Sequence, residues 1–201
     1  MTKVKNTAII LTGFQNDFCS PDGLLHHAVK DILARNRTIE NTVHLLDKIR
    51  DRGILVVFTP IAFSGDYREL GSNPVGILKA IKDAGAFRLG TRGVEIIREF
   101  IPYIDAITIV PGKRGLCSFG IPKMDSLLKK HHITHVVLGG LLANICVEST
   151  ARNAYDRGYA VTILKDCTVC KSSIEQDYVE KYIFSLLGRL KTHHEFLTEI
   201  E

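Results

Sequence analysis

The chain has no apolar run long enough to cross a membrane and no block of five or six like charges. A bilayer span needs about 20 mostly apolar residues, so no membrane partner is expected. Its 26 Lys and Arg and 22 Asp and Glu leave a formal charge of +4. These charges are spread along the chain. The densest basic patch, Lys129-Lys130 with His131-His132, reads as the solvated end of a helix, so no nucleic-acid partner is expected. Met1 to Asn6 is polar, without the apolar stretch of a signal peptide, and the expected compartment is the cytoplasm. There the five cysteines (Cys19, Cys117, Cys146, Cys167 and Cys170) are expected as thiols. Cys167-Thr-Val-Cys170 has C-x-x-C spacing, but it lacks a second pair for zinc and does not open a helix as redox pairs do. No G-x-G-x-x-G follows the first apolar run, which argues against a dinucleotide, and no cofactor is expected. No repeat, linker or low-complexity tract divides the 201 residues, which read as one domain, 1–201.

What the chain does contain is an alternation of short β-branched runs and helical patterns. Strands are expected at Thr7–Thr12, Ile54–Thr59, Ala106–Val110, Val136–Leu138 and Tyr159–Leu164, with a last short one near Glu195–Leu197. Helices are expected from Thr38 to Arg52, Val75 to Ala84, Met124 to His131, Val147 to Arg157 and Ile174 to Leu190. Continuous apolar strands separated by helices indicate a parallel sheet covered on both faces. The expected fold is therefore α/β, a three-layer doubly wound, Rossmann-like and mostly parallel sheet of about six strands. Ligands in such sheets bind beyond the carboxyl ends of the strands. Gly13–Ser20, Pro60–Asn73, Pro111–Phe119 and Gly139–Cys146 all fall there.

Cys146 follows an apolar strand, Gly139-Gly140 and a short loop, and is expected to open a helix. Unpaired N–H groups and partial positive charge at a helix start favour thiolate, the nucleophilic form. The same N–H groups could hold an oxyanion. The alternative is a buried structural cysteine, since free cysteine is among the most buried residue types. Lys113, in Pro-Gly-Lys-Arg-Gly-Leu-Cys-Ser-Phe, ends the third strand. It is either a partner for that thiol or a solvated strand-end lysine.

These segments resemble the isochorismatase-like cysteine hydrolases, and the resemblance covers nearly the whole chain. Gly13-Phe-Gln-Asn-Asp-Phe18 is similar to that family's Asp-x-Gln-x-Asp-Phe. Lys113 to Phe119 is similar to Lys-x-x-x-Ser-Ala-Phe. Gly140 to Val147, with Thr150-Ala151, Ala154 and Gly158-Tyr159, is similar to its Cys-Val-x-x-Thr-Ala-x-x-Ala-x-x-x-Gly-Tyr signature. Asp166 ends the fifth strand where the family has an Asp. The resemblance implies an Asp-Lys-Cys triad acting on a small amide-type substrate through an acyl-enzyme. It implies an oxyanion site at the N–H groups of Cys146 and Ala143, with a cis peptide at Leu142–Ala143. It also implies a homo-oligomer.

This chain departs from the pattern at its centre, because Gly13 occupies the position of the triad Asp. Asp17 is the nearest acid in sequence and a geometrically poor substitute as base. Cys117 and Ser118 stand where Ser-Ala is usual, and Ala143 where Thr is common. The Asp-x-His metal ligands of nicotinamidase-like members are missing from Thr59–Asp66, and the histidines lie elsewhere, at His26-His27, His44, 131–135 and His193-His194. No catalytic metal is expected. Isochorismate is an improbable substrate, because its hydrolases use the Asp and not the cysteine. Phe14, Gln15, Phe18, Phe63, Cys117 and Phe119 are candidates to line the pocket; each phenylalanine is alternatively an ordinary core residue. Two functions remain open: a metal-independent cysteine hydrolase, and a catalytically impaired member that binds a small ligand in the old crevice.

Overall fold

The computed structural model describes residues 6–201, so most of the polar start, Met1–Asn6, lies outside the described residues. The strands are β1 (Thr7–Thr12), β2 (Leu55–Thr59), β3 (Ile107–Ile109), β4 (His135–Leu141), β5 (Ala160–Val169) and β6 (Arg189–Lys191). The α-helices are α1 (Asn16–Cys19), α2 (Lys30–Arg35), α3 (Thr38–Ile49), α4 (Gly76–Ala84), α5 (Pro122–Lys130), α6 (Glu148–Asp156), α7 (Ser173–Tyr178), α8 (Ser185–Leu187) and α9 (His193–Ile200). The six strands form one sheet in the order β3-β2-β1-β4-β5-β6, with every pairing parallel. This is the expected doubly wound α/β fold.

The two faces of each central strand bury different residues because side chains alternate along a strand. Ile9, Leu11, Val56 and Phe58 face a core closed by Leu45, Leu46 and Ile49 of α3 and Phe196 and Leu197 of α9. Ala8, Ile10, Val57 and Leu138 face a second core closed by Met124 and Leu128 of α5 and Ala151 and Ala154 of α6. The chain leaves β1 toward β2 on one side and leaves β4 toward β5 on the other. The carboxyl ends of β1 and β4 therefore bound the crevice where a doubly wound sheet binds its ligand.

Several expected boundaries move. β4 and β5 run on to Leu141 and Val169, where pairing resumes after an irregularity between Leu138 and Gly140. The expected Ile174–Leu190 helix is α7, a wider π turn over Val179–Phe184, and α8, and it stops at Gly188. A Cβ on Gly188 would run into the Val161 carbonyl, so β6 starts where the backbone presses against β5. The strand expected near Glu195–Leu197 is instead helix α9. Thr192 accepts from the Glu195 N–H, and the Glu195 carboxylate accepts from the Thr192 N–H, a capping box that nucleates a helix. None of the described helices is long and apolar enough to cross a membrane.

Candidate active site

Cys146 lies in a π turn, Ala143–Val147, between β4 and α6, rather than at the first residue of the α-helix. The turn folds the N–H groups of Ile145, Cys146 and Val147 back onto the Leu142 carbonyl, at 3.2, 2.9 and 3.1 Å. The Cys146 N–H, expected to hold an oxyanion, is thus already engaged. Ala143 opens the turn, where no carbonyl of the turn can reach its N–H. The cis peptide joins Leu141 and Leu142, one residue before the expected Leu142–Ala143 bond. β4 runs three residues past its expected end at Leu138, to Leu141, so the cis bond lies directly at the strand's end. Cys146 itself is 6 % exposed.

Lys113 forms a bridge to Ile61 beyond the end of β2 and is 1 % exposed, so it is no solvated strand-end lysine. Its Nζ donates to Thr12 Oγ1 at 2.8 Å. It takes part in none of the ion pairs among the described residues. A buried ammonium is costly without acceptors, and three donors meet one hydroxyl here.

Between Lys113 and Cys146 runs a series of buried hydroxyls that sequence reasoning left without a role. Thr59 Oγ1 meets Ser118 Oγ at 2.9 Å, and the Ser118 N–H donates to Thr150 Oγ1 at 3.0 Å. Thr150 Oγ1 donates to the Cys146 carbonyl at 2.7 Å. Thr12 lies beside Thr59 and Gly140 in the sheet register. The signal was present, since Ser118 and Thr150 belong to the quoted motifs, but only the fold shows that they meet.

Gly13 holds no vacancy shaped for a carboxylate. Its φ is +75°, and a Cβ there would lie 2.5 Å from the Leu141 carbonyl oxygen and 3.2 Å from the Leu141 Cβ. Asp17 is no substitute. It is 2 % exposed, and its oxygens accept from the Phe87 N–H at 2.5 Å and the Leu24 N–H at 3.3 Å. Its carboxylate lies so close to Gly93 that a Cβ there would collide with it. Asp17 pins loops together because buried backbone N–H groups require acceptors.

The expected pocket residues divide in the same way. The Gln15 amide bonds the Ile61 N–H and carbonyl, each at 2.8 Å, and the Val94 carbonyl at 2.6 Å, which leaves it a loop tie. Phe14 packs on Phe100 with ring centres 4.9 Å apart, Phe18 edge-on against Phe87 at 5.0 Å and Phe63 against Tyr67 at 5.6 Å, all within the first core. Phe119 belongs to the second core, under the Arg157 guanidinium. Cys117 is half-buried and its sulfur accepts from the Phe119 N–H at 3.3 Å. Burial pushes the Cys19, Cys167 and Cys170 thiols up, Cys170 to about 12. Asp166 also faces away from the crevice, accepting from His193 Nδ1 at 2.6 Å.

Comparison with known proteins supplies a context for this geometry. Residues 7–195 match the model of the isochorismatase domain. A ureidoacrylate amidohydrolase of Variovorax paradoxus is 32% identical over 174 residues, covering 81% of this chain and 68% of the relative. One from Caulobacter segnis is 30% identical over 176 residues, covering 82% and 72%. Among solved structures, a cysteine hydrolase of Pseudomonas syringae superposes with a TM-score of 0.81 at 21% identity, covering 98% of this chain and 92% of that one. An isochorismatase-like hydrolase of Alkaliphilus metalliredigens gives 0.79 at 25% identity, covering 98% and 100%.

Proposed function

The chain belongs to the isochorismatase family, and on that premise we propose that it is a metal-independent cysteine hydrolase of a small amide-type substrate. Cys146 is the nucleophile. Its sulfur gives up its proton and attacks the carbonyl carbon, and the C–N electrons return to nitrogen, which takes up a proton as the amine leaves. Water then releases the acid from the acyl-enzyme. The observation that carries this reading is Lys113, an ammonium buried at the strand ends, hydrogen-bonded to Thr12 and outside every ion pair among the described residues. Two of its three donors are left for a substrate oxygen or the attacking sulfur. The Ala143 N–H at the opening of the π turn is a further donor for the oxyanion. Ureido and carbamoyl amides are the first substrates to try, because the amidohydrolase relatives named above act on a ureido acid. The same reading carries a cytoplasmic homo-oligomer.

The test is ammonia release from a panel of such amides by the parent and by Cys146→Ala, with mass spectrometry of the intact chain to capture the acyl adduct. Turnover and adduct in the parent alone are expected. Equal turnover by Cys146→Ala would remove the nucleophile from the proposal.

One observation favours a second reading, a catalytically impaired member that binds a small ligand in the crevice. The backbone at Gly13 excludes the base position itself, with the Leu141 carbonyl where a Cβ would stand. Loss of one catalytic member typically costs several orders of magnitude but leaves residual catalysis. Saturable binding of a panel amide without turnover would decide for this reading.

A further inference from the structure

A second cluster of reactive side chains lies away from Cys146, on the sheet face covered by α3 and α9. His44 of α3 and His193 and His194 of α9 bring one ring nitrogen each within 4.8 Å of one another. Asp166 of β5 orients the central ring: its carboxylate accepts from His193 Nδ1 at 2.6 Å and from the His193 N–H at 2.9 Å. A carboxylate only accepts, so Nδ1 carries the proton, and the neutral ring has its lone pair on Nε2. That Nε2 lies 3.1 Å from His44 Nδ1.

The geometry points to a binding site for a divalent transition ion of zinc type, with His44 Nδ1, His193 Nε2 and His194 as ligands and Asp166 as the outer carboxylate. Imidazole nitrogens suit such ions, and a carboxylate on the second ring nitrogen is the usual way a metal-binding histidine is held. Two nitrogens on one tetrahedral zinc, each at about 2.0–2.1 Å, are about 3.3 Å apart, close to the separation already present. His193 is 3 % exposed and fixed, while His194 is exposed, so its ring is free to close by about an ångström or two. His44 also lines an open groove with Val43, Asp47 and Tyr103, which leaves the fourth coordination position reachable by water. The ion would tie α9 to α3 and β5. It would be a structural tie, since none of these residues belongs to the hydroxyl series that leads to Cys146.

The test is zinc titration of the untagged full chain by calorimetry, with melting temperature as a second readout. The expected result is one zinc per chain and a melting temperature raised by zinc. His194→Ala, an exposed change that leaves the fold intact, and His44→Gln should each weaken binding at least tenfold and remove the thermal shift. Asp166→Asn should weaken it by about 10–100-fold. Cys146→Ser should bind zinc as the parent does. Absence of saturable uptake by the parent would overturn the site. So would unchanged affinity in both His194→Ala and His44→Gln, or loss of binding in Cys146→Ser.

Discussion

Lys113 Nζ and Thr12 Oγ1 are 2.8 Å apart at the neighbouring ends of the sheet, and this hydroxyl is the lysine's one side-chain partner among the described residues. The lysine is therefore held in place by a neutral group, without a carboxylate. That leaves its charge directed at whatever occupies the crevice.

Replacing Lys113 by Met separates function from stability. Removing an unpaired buried charge while keeping the stem's volume should leave the melting temperature unchanged or raise it. Turnover on an amide substrate should fall by about a hundredfold or more, as for loss of a donor to a developing oxyanion. Thermal melts and kcat/KM measured side by side check both halves.

Cys146 should alkylate with iodoacetamide ahead of Cys19, Cys167 and Cys170 in the native protein. Those three are buried with raised pKa values and remain protonated at neutral pH. Peptide mapping after brief labelling at pH 7.5 checks this. Labelling of Cys167 or Cys170 before Cys146 would contradict it. Cys146→Ala should leave the melting temperature within a few degrees of the parent.

The same buried thiols set an alkaline limit to stability. Each has a folded pKa above its unfolded value, so the folded state holds its protons longer than the unfolded chain. Their contribution is complete below the ordinary thiol value of 9.0 and is lost as pH rises, toward about 12 for Cys170. Melting temperature should decline from about pH 9 upward, and Cys170→Ala should flatten that decline.

Gly13→Asp should not restore a proton acceptor. The residue needs φ near +75° and abuts the Leu141 carbonyl, so any side chain forces the backbone to shift. A destabilisation of at least about 1–3 kcal/mol is expected, with turnover reduced. Gly13→Ala should be destabilised similarly. A Gly13→Asp protein as stable as the parent and more active would show that the crevice accommodates the carboxylate.

Asp17→Asn should lower stability by about 1–3 kcal/mol, because the Phe87 and Leu24 N–H groups lose a charged acceptor. The shape of the pH–rate profile should stay that of the parent. A lost acidic limb in the variant would instead make Asp17 the missing base.

Much of this protein was determined locally by the sequence. Uninterrupted apolar runs such as Thr7–Thr12, alternating with amphipathic helices such as Thr38–Ile49, specify a parallel sheet covered on both faces, because the period of apolar residues decides what each segment can bury. Cys146 and Lys113 were legible for the same reason: each stands in a short motif at a strand end. Even the misread α9 carried its signal in Thr192 and Glu195. What the tertiary structure alone decided concerns contacts between distant segments. The Leu141 carbonyl filling the space beside Gly13, the turn of Asp17 toward Phe87, and the meeting of Thr59, Ser118 and Thr150 all join residues far apart in the chain. So does the gathering of His44 with His193 and His194. Strand register and helix packing set these distances, and no periodicity in a single segment encodes them.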